Sequence, residues 1–286
     1  MTRLPITKTP KPYVGGAFIR SESGRTFPLN DKWGKFFANI PQCTRKDLRN
    51  AVEAAAKAGV GWAQRTAYNR GQILYRLGEM LEARRAEMIE TLGRFGAPKA
   101  SAAKEVDACT DRLIYYAGWC DKYEQVLGNV NPVASPHFNF TVTEPMGVVG
   151  VIAPDSPPLL GLISMVAPVI ACGNSVVAEV SESNPYPAIL FGEMLGTSDL
   201  PGGVVNLLTG FQKELLPTFA THNYLRGLSA AVVGEDRKTL RLGAADSVKR
   251  VHFVDPQTDW YGEQAQDLYA IRDFVEFKTT WHPIGA

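Results

Sequence analysis

Cysteine and histidine are scarce in this chain, with four of each among 286 residues. Cys43, Cys109, Cys120 and Cys172 stand far apart with no CxxC, and His137, His222, His252 and His282 form no HxxxH. That spacing argues against the usual zinc ligand sets and against a disulfide-stapled scaffold. A reducing cytoplasm is the expected setting. An excess of one charge sign is also missing. The formal net charge is +1, so no global field draws in nucleic acid or an anionic membrane. The basic pairs Arg84-Arg85 and Lys249-Arg250 read as solvated surface. The longest apolar run, Pro158 to Cys172, is broken by Gly161 and Pro168. It falls short of the roughly 20 residues that span a bilayer. The opening MTRLPITKTPKPYVGG holds no apolar stretch of the signal-peptide kind. Internal repeats and low-complexity segments are lacking as well.

What is present suits a globular protein: 45% hydrophobic and 21% charged residues, enough for one large core or two modest ones. The first third reads as a helical layer. Thr44 caps a helix with Asp47 at the third position, and Leu48, Val52, Ala55, Ala56 and Val60 follow at helical spacing. Ile73, Leu74, Leu77, Met80 and Leu81 form the clearest amphipathic stripe, which Met88 and Leu92 extend. A third helix is expected from Ser101 to Trp119. Stripes of this kind are core faces.

From Gly128 the period changes. Phe138, Phe140 and Val142 alternate with polar residues after a turn region from Pro132 to Pro136, which predicts a hairpin. Strand and helix then alternate. Strands are expected at Gly147–Ile152, Ser175–Glu179, Val204–Leu208 and Arg250–Val254. Helices are expected from Pro157 or Pro158 to Ile170 and at Tyr186–Leu195, Lys213–Thr221 and Glu235–Ala245. Such alternation argues for a parallel sheet covered on both faces. Gln264 to Asp273 looks helical and Phe274 to Trp281 extended.

Five segments, in order, resemble one family. They are PYVGG with SGRTFPL, then EPMGVVGVIAP, then APVIACGNSVVAEVSE, then DLPGGVVNLLTG at Asp199–Gly210, and finally RDFVEFKTTW. Together they are similar to aldehyde dehydrogenases across nearly the whole chain. RKDLRNAVEAA at Arg45–Ala55, YNRGQILYRLGEML at Tyr68–Leu81, PDSPPLL and TSDLPGGVVN at Thr197–Asn206 resemble a subgroup more closely. That subgroup is the truncated, non-catalytic second half of family-16 aldehyde dehydrogenases. The resemblance implies an α/β fold: an aldehyde-dehydrogenase-like Rossmann domain plus small β oligomerisation elements, with the catalytic domain absent. It implies a Rossmann-type, NAD-binding-like domain over 1–255, interrupted by an oligomerisation hairpin at about 128–146. Residues 256–286 would then form a C-terminal helix and oligomerisation strand.

The departures from the family set the chemical expectations. Aldehyde dehydrogenases need a thiolate nucleophile, because hydride leaves from a covalent thiohemiacetal. Nothing between Arg250 and Ala286 resembles the loop that carries it. None of the four cysteines has a histidine or a cationic surround in sequence, so each is expected to be structural. The general-base Glu that follows KRV in the family is missing after Lys249-Arg250-Val251. His252 stands nearby without a visible partner and reads as structural. Ser156 occupies the position of the oxyanion-holding Asn. Loss of one such donor costs on the order of 10²–10³ in rate. Asp155 adds adverse charge there and Pro157 removes an N–H. No catalytic residue is therefore assigned.

Cofactor contacts are vestigial if present: Ile152, Pro154, Ser156, Glu179, Glu182 and Ser229. Glu182 matches a family residue near the adenosine ribose, and Glu179 replaces the Lys that contacts the same ribose. Two carboxylates three residues apart disfavour a 2′-phosphate, so NAD is expected to bind weakly or not at all, and NADP less. The family's Gly-Ser pair appears as Ser229-Ala230. Two readings follow. One is a non-catalytic structural or regulatory subunit that assembles with a full-length NAD-dependent aldehyde dehydrogenase, or with itself, through 128–146 and 274–286. The other is an NAD(P)-dependent aldehyde oxidoreductase of altered mechanism, with an NAD-sensing regulatory subunit between the two. Deleting the tail from Phe274 is expected to spare the core, because the core stripes lie upstream.

Overall fold

The first element among the described residues is a tight hairpin. In the computed structural model, which describes residues 8–285, β1 (Tyr13–Val14) and β2 (Ala17–Phe18) pair antiparallel around Gly15 and Gly16. Both glycines have positive φ, as a two-residue hairpin turn requires. A side chain at Gly16 would meet the Gly202 backbone 2.8 Å away, so DLPGG packs directly on this turn. Residues 1–7 of the opening stretch and Ala286 of the expected 256–286 unit lie outside the described residues.

A two-stranded ribbon follows, β3 (Thr26–Asn30) against β4 (Phe36–Pro41), before any helix begins. The helical layer is α1 (Arg45–Ala63), α2 (Ala67–Ala83), α3 (Arg85–Arg94), α4 (Lys99–Trp119) and the short α5 (Tyr123–Leu127). At the head of α1, the Asp47 carboxylate accepts from the Thr44 backbone N–H (2.7 Å) and hydroxyl, as the expected cap requires. Its buried face uses Leu48, Ala51, Val52 and Ala55, whereas Val60, expected in the core, is exposed. Met88 and Leu92 are buried but do not extend the preceding stripe. The helix breaks at Arg84, and they belong to α3.

Two strands of a separate sheet come next, β5 (Asn129–Asn131) and β6 (His137–Pro145). The alternating part runs β7 (Val148–Ile152), α6 (Leu160–Ala171), β8 (Ser175–Glu179), α7 (Tyr186–Leu195), β9 (Val205–Leu208), α8 (Gln212–Thr221), β10 (Leu225–Ala230), α9 (Gly234–Ala245) and β11 (Arg250–Phe253). The segment expected to be helical at 264–273 holds only a single 3₁₀ turn and the one-turn α10 (Tyr269–Arg272), before β12 (Val275–Pro283).

The main sheet has the order β11-β10-β7-β8-β9-β1-β2. Strands β11 to β9 are parallel, and β1 joins antiparallel to β9. Pleating sends alternate side chains to opposite faces. Val149, Val151, Val176 and Ala178 enter a core shared with α2, α4, α6 and α7, while Val148, Ile152 and Val177 enter a second core with α1, α8 and α9. The apolar run that is too short for a membrane becomes α6, with every residue buried. No helix among the described residues is long and apolar enough to cross a membrane.

The second sheet has the order β12-β6-β5. β12 pairs antiparallel with β6 of its own chain along its full length, from Val275↔Pro145 to Pro283↔His137. The tail strand is thus joined within the chain along one edge. Its base is also part of the core: Phe274 and Val275 are buried, and Asn174 Nδ2 donates to the Phe274 carbonyl at 2.8 Å. The expectation that deleting the tail from Phe274 spares the core is corrected here, because Phe274 and Val275 themselves pack into the main core.

Candidate functional site

In a parallel sheet, ligands meet the protein beyond the carboxyl ends of the strands. A cleft of about 500 Å³ lies there, where β7 and β8 end side by side. Ile152 and Glu179 are register partners at these ends, and Ala153 N–H donates to the Glu179 carbonyl at 3.0 Å. Phe27 of β3 and Phe211, just before α8, form an aromatic wall with centroids 4.9 Å apart. Asp155, Glu179 and Glu182 line the cleft, and among the described residues neither Lys nor Arg does.

The three carboxylates differ in how they are satisfied. Asp155 Oδ1 accepts from Ser183 N–H and from Ser181 Oγ, both at 2.8 Å, and so latches the loop after β8. Burial pushes its carboxyl upward, but the bonds from Ser183 and Ser181 win and hold it below the usual range. Glu182 Oε2 accepts from Gln212 N–H at 3.0 Å, and the Gln212 side chain donates on to Asp236. Glu179 is 2% exposed, and neither carboxylate oxygen has a hydrogen-bond partner among the described residues. Burial, followed by the nearby charges of Glu182 and Asp236, pushes its pKa up to about 8.

The residues singled out from sequence do not converge. Ile152, Glu179 and Glu182 share the cleft, but Pro154, Ser156 and Ser229 do not line it. Ser156 sits exposed in the turn before α6. Ser229 lies on the opposite sheet face, since its register partners are Val151 and His252 rather than Ile152. There it lines a second cleft with His252 and Asp273. His252 is also not without a partner. Its Nδ1 lies 2.8 Å from Asp273 Oδ2, and this bond comes first among the contacts that hold the Asp273 carboxyl below its ordinary range. Asp273 is distant in sequence, so no local pattern announced the pair.

All four cysteines are fully buried. Burial pushes the thiols of Cys43, Cys120 and Cys172 up to about 12, and that of Cys109 well above its ordinary value. None offers a thiolate near neutral pH.

Glu105 is a residue that sequence reasoning missed. Projecting from α4, its Oε1 accepts from Leu159 N–H (2.9 Å) and Leu160 N–H (3.2 Å) at the head of α6. A helix head is a ready anion site, but this one is already occupied by a carboxylate. For a dinucleotide, the described lining of the cleft offers carboxylates on the ribose side and no Lys or Arg to the phosphates.

The arrangement is a largely parallel α/β sheet covered by helices, with a small antiparallel sheet beside it. The aldehyde dehydrogenase family profile matches residues 18–253, and the chain belongs to that family. It is 30% identical over 248 residues to the putative aldehyde dehydrogenase DhaS of Bacillus subtilis, covering 85% of this chain and 50% of that protein. It is 33% identical to omega-crystallin of Enteroctopus dofleini, covering 93% of this chain and 56% of that one. Among solved structures, the NAD+ complex of an aldehyde dehydrogenase from Bacillus cereus superposes with a TM-score of 0.81 at 25% identity, covering 86% of this chain and 50% of that chain. The chain spans about half the length of these relatives.

Proposed function

We propose that this chain is a non-catalytic aldehyde-dehydrogenase-like subunit. It assembles with a full-length, NAD-dependent aldehyde dehydrogenase in a structural or regulatory role. The carrying observation is a contrast within the molecule. Its thiols are sealed in the core, while the β12-β6-β5 sheet is complete and bare. Phe138, Val142 and Val130 are exposed on this sheet, as are Phe277 and Trp281. The outer edges of β5 and β12 are unpaired among the described residues. Unpaired edges and apolar faces favour pairing with another chain. Obligate interfaces bury roughly 2,000 Å² or more, so the whole sheet rather than the tail alone supplies the contact. In this reading NAD binds weakly or not at all, NADP less, and the vestigial contacts are those at Ile152, Glu179 and Glu182. A reducing, cytoplasmic setting suits the four free thiols.

The test is light scattering of the full chain with and without a full-length aldehyde dehydrogenase from the same source, together with assays of the chain alone. Co-assembly and no oxidation of aliphatic or aromatic aldehydes with NAD or NADP are expected. A stable monomer in the presence of that enzyme, or thiol-dependent turnover, would overturn the reading.

A second reading draws on His252. Its pairing with Asp273, beside Ser229 in the second cleft, supplies an oriented base that an oxidoreductase of altered mechanism would need. Replacement His252→Asn, measured on any turnover detected, separates the two readings.

A further inference from the structure

A separate cleft of about 640 Å³ lies between the turn of the β3-β4 ribbon, α3 and the start of α4. It shares no lining residue with the cleft beyond β7 and β8. Its volume is that of a small-molecule site. One wall is set by backbone bonds. Asp31 Oδ1 accepts from Trp33 N–H at 3.0 Å and from Lys35 N–H at 2.9 Å, and Gly34 takes the positive φ that the turn needs. Lys32 N–H donates to the Arg94 carbonyl at 3.0 Å, which ties the turn to the end of α3. The backbone here is held on two sides, yet the turn presents Trp33 with 75% of its surface open. The floor is apolar, from Ala86, Ile89, Gly93 and Ala97. A side chain built on Gly93 would meet no atom within 4 Å, so the floor is open at that point.

Charge is one-sided in this cleft. Lys32, Arg85, Arg94 and Lys99 line it, against Glu90 alone. Two of the four cations are committed. Arg85 bonds both carboxylate oxygens of Asp107, at 2.6 and 2.9 Å. Arg94 lies 3.6 Å from Glu90, and its guanidinium covers the Phe37 ring with 5.2 Å to the centroid. Lys32 and Lys99 have no carboxylate partner among the described residues. Lys32 Nζ instead stands 4.6 Å from the centroid of the Trp33 ring.

Exposed lysines by themselves are solvated surface. Here they flank an open indole and an apolar floor, and that combination narrows the ligand. An inorganic anion would use the lysines and leave the indole and floor wet. A neutral aryl compound would fill the floor and leave both ammonium groups unanswered. A triphosphate brings more charge than two spare lysines balance. We infer that this cleft binds a small planar aromatic carboxylate, with its ring beside Trp33 over the floor at Gly93 and its carboxylate between Lys32 and Lys99. Aromatic rings pack against an indole with a gain beyond area alone, and an anion pairs with ammonium donors at the same time. The site is independent of the assembly reading, since none of its residues belongs to the β12-β6-β5 sheet.

The experiment is calorimetric titration of the full chain with 2-naphthoate, with 2-naphthamide as the neutral isostere. Saturable binding of the carboxylate is expected, with the amide clearly weaker. Raising the salt to about 0.3 M should weaken the carboxylate, because exposed ion pairs are screened. Trp33→Ser should lower its affinity about 2- to 10-fold, the range for one aromatic contact. Gly93→Leu should abolish binding by filling the floor, and it suits a helical position better than glycine does. No saturable binding, equal binding of the amide, unchanged affinity in Trp33→Ser or Gly93→Leu, or tighter binding of inorganic phosphate or ATP would each overturn the proposal. The amide and salt comparisons use the unmodified chain, so they decide the matter even if a variant does not fold.

Discussion

Two buried glutamates sit at the carboxyl-end rim of the main sheet and have opposite surroundings. Glu105, 5% exposed, reaches from α4 to the head of α6 and accepts two backbone N–H bonds. Glu179, 2% exposed, ends β8 and accepts none. Burial pushes both carboxyls upward; for Glu105 the bonds from Leu159 and Leu160 pull back, whereas for Glu179 Glu182 and Asp236 push further. Residue type and burial are therefore not what marks a site. A buried acid matched to a helix head is architecture, and one left without donors is a position the fold retains at a cost in stability.

The comparison is broken most directly at Glu105. Glu105→Leu leaves two N–H groups at the first turn of α6 without an acceptor and should destabilise the chain by about 2–3 kcal/mol. Glu105→Gln keeps an acceptor and should cost less than half of that. Urea unfolding of both variants checks this. Equal losses would show that the charge, rather than the acceptor, holds α6.

How far the sequence carried depends on whether a signal was local. Tyr186–Leu195 and Ser175–Glu179 are legible to the residue, because their apolar runs are bounded by Gly and Pro. The capping at Thr44 and Asp47 is equally local. β10, next to the edge strand β11, gives no strand signal in sequence: Arg226, Gly227 and Ser229 interrupt its apolar pattern, and the neighbours β7 and β11 make Leu225–Ala230 a strand. Of the site, Glu179 and Glu182 were found through the family resemblance. Glu105, Phe27, Phe211 and the His252–Asp273 pair come together only through long-range packing. Spacing therefore held no trace of them. Ser229 was also reached through the resemblance, as part of the family's Gly-Ser pair, yet pleating puts it and Glu179 on opposite faces.

At Glu179 the opposite outcome to Glu105 is expected. An unfolded carboxyl here titrates near the ordinary value of 4.5, while the folded one titrates at about 8. Between these values the folded chain holds one more proton than the unfolded one, so this group makes stability fall as pH rises through that window and level off above it. Glu179→Leu removes the effect. It should stabilise the chain by about 1–2 kcal/mol at pH 8, with the advantage shrinking toward pH 5. Thermal melts of both proteins across that range test the sign. A variant less stable than the parent at pH 8 would mean that Glu179 has an internal partner after all.

The smallest effect on folding is expected where exposed side chains take the place of buried ones. Phe277 and Trp281 are 46% and 57% exposed, on the same strand whose first residue, Val275, is fully buried. Along β12 they share a face with Thr143, Thr141 and Asn139 of β6, and Trp281 meets His137 edge to face. Their rings do little for the isolated chain. Replacing both by Ser should change its melting stability by no more than about 0.5 kcal/mol, the usual range for surface substitutions. In an assembly the same rings would be covered, and a fully buried Phe is worth about 1.5–3 kcal/mol. If the proposed assembly forms, the double variant should therefore lose association with the dehydrogenase while melting like the parent, read by light scattering and calorimetry on the same samples. Val275→Ala reverses the pattern, with a clear loss of stability and little direct effect on association. If the Phe277/Trp281 variant instead unfolds early, the β12-β6-β5 sheet belongs to the core of the single chain, and its role as a docking surface fails.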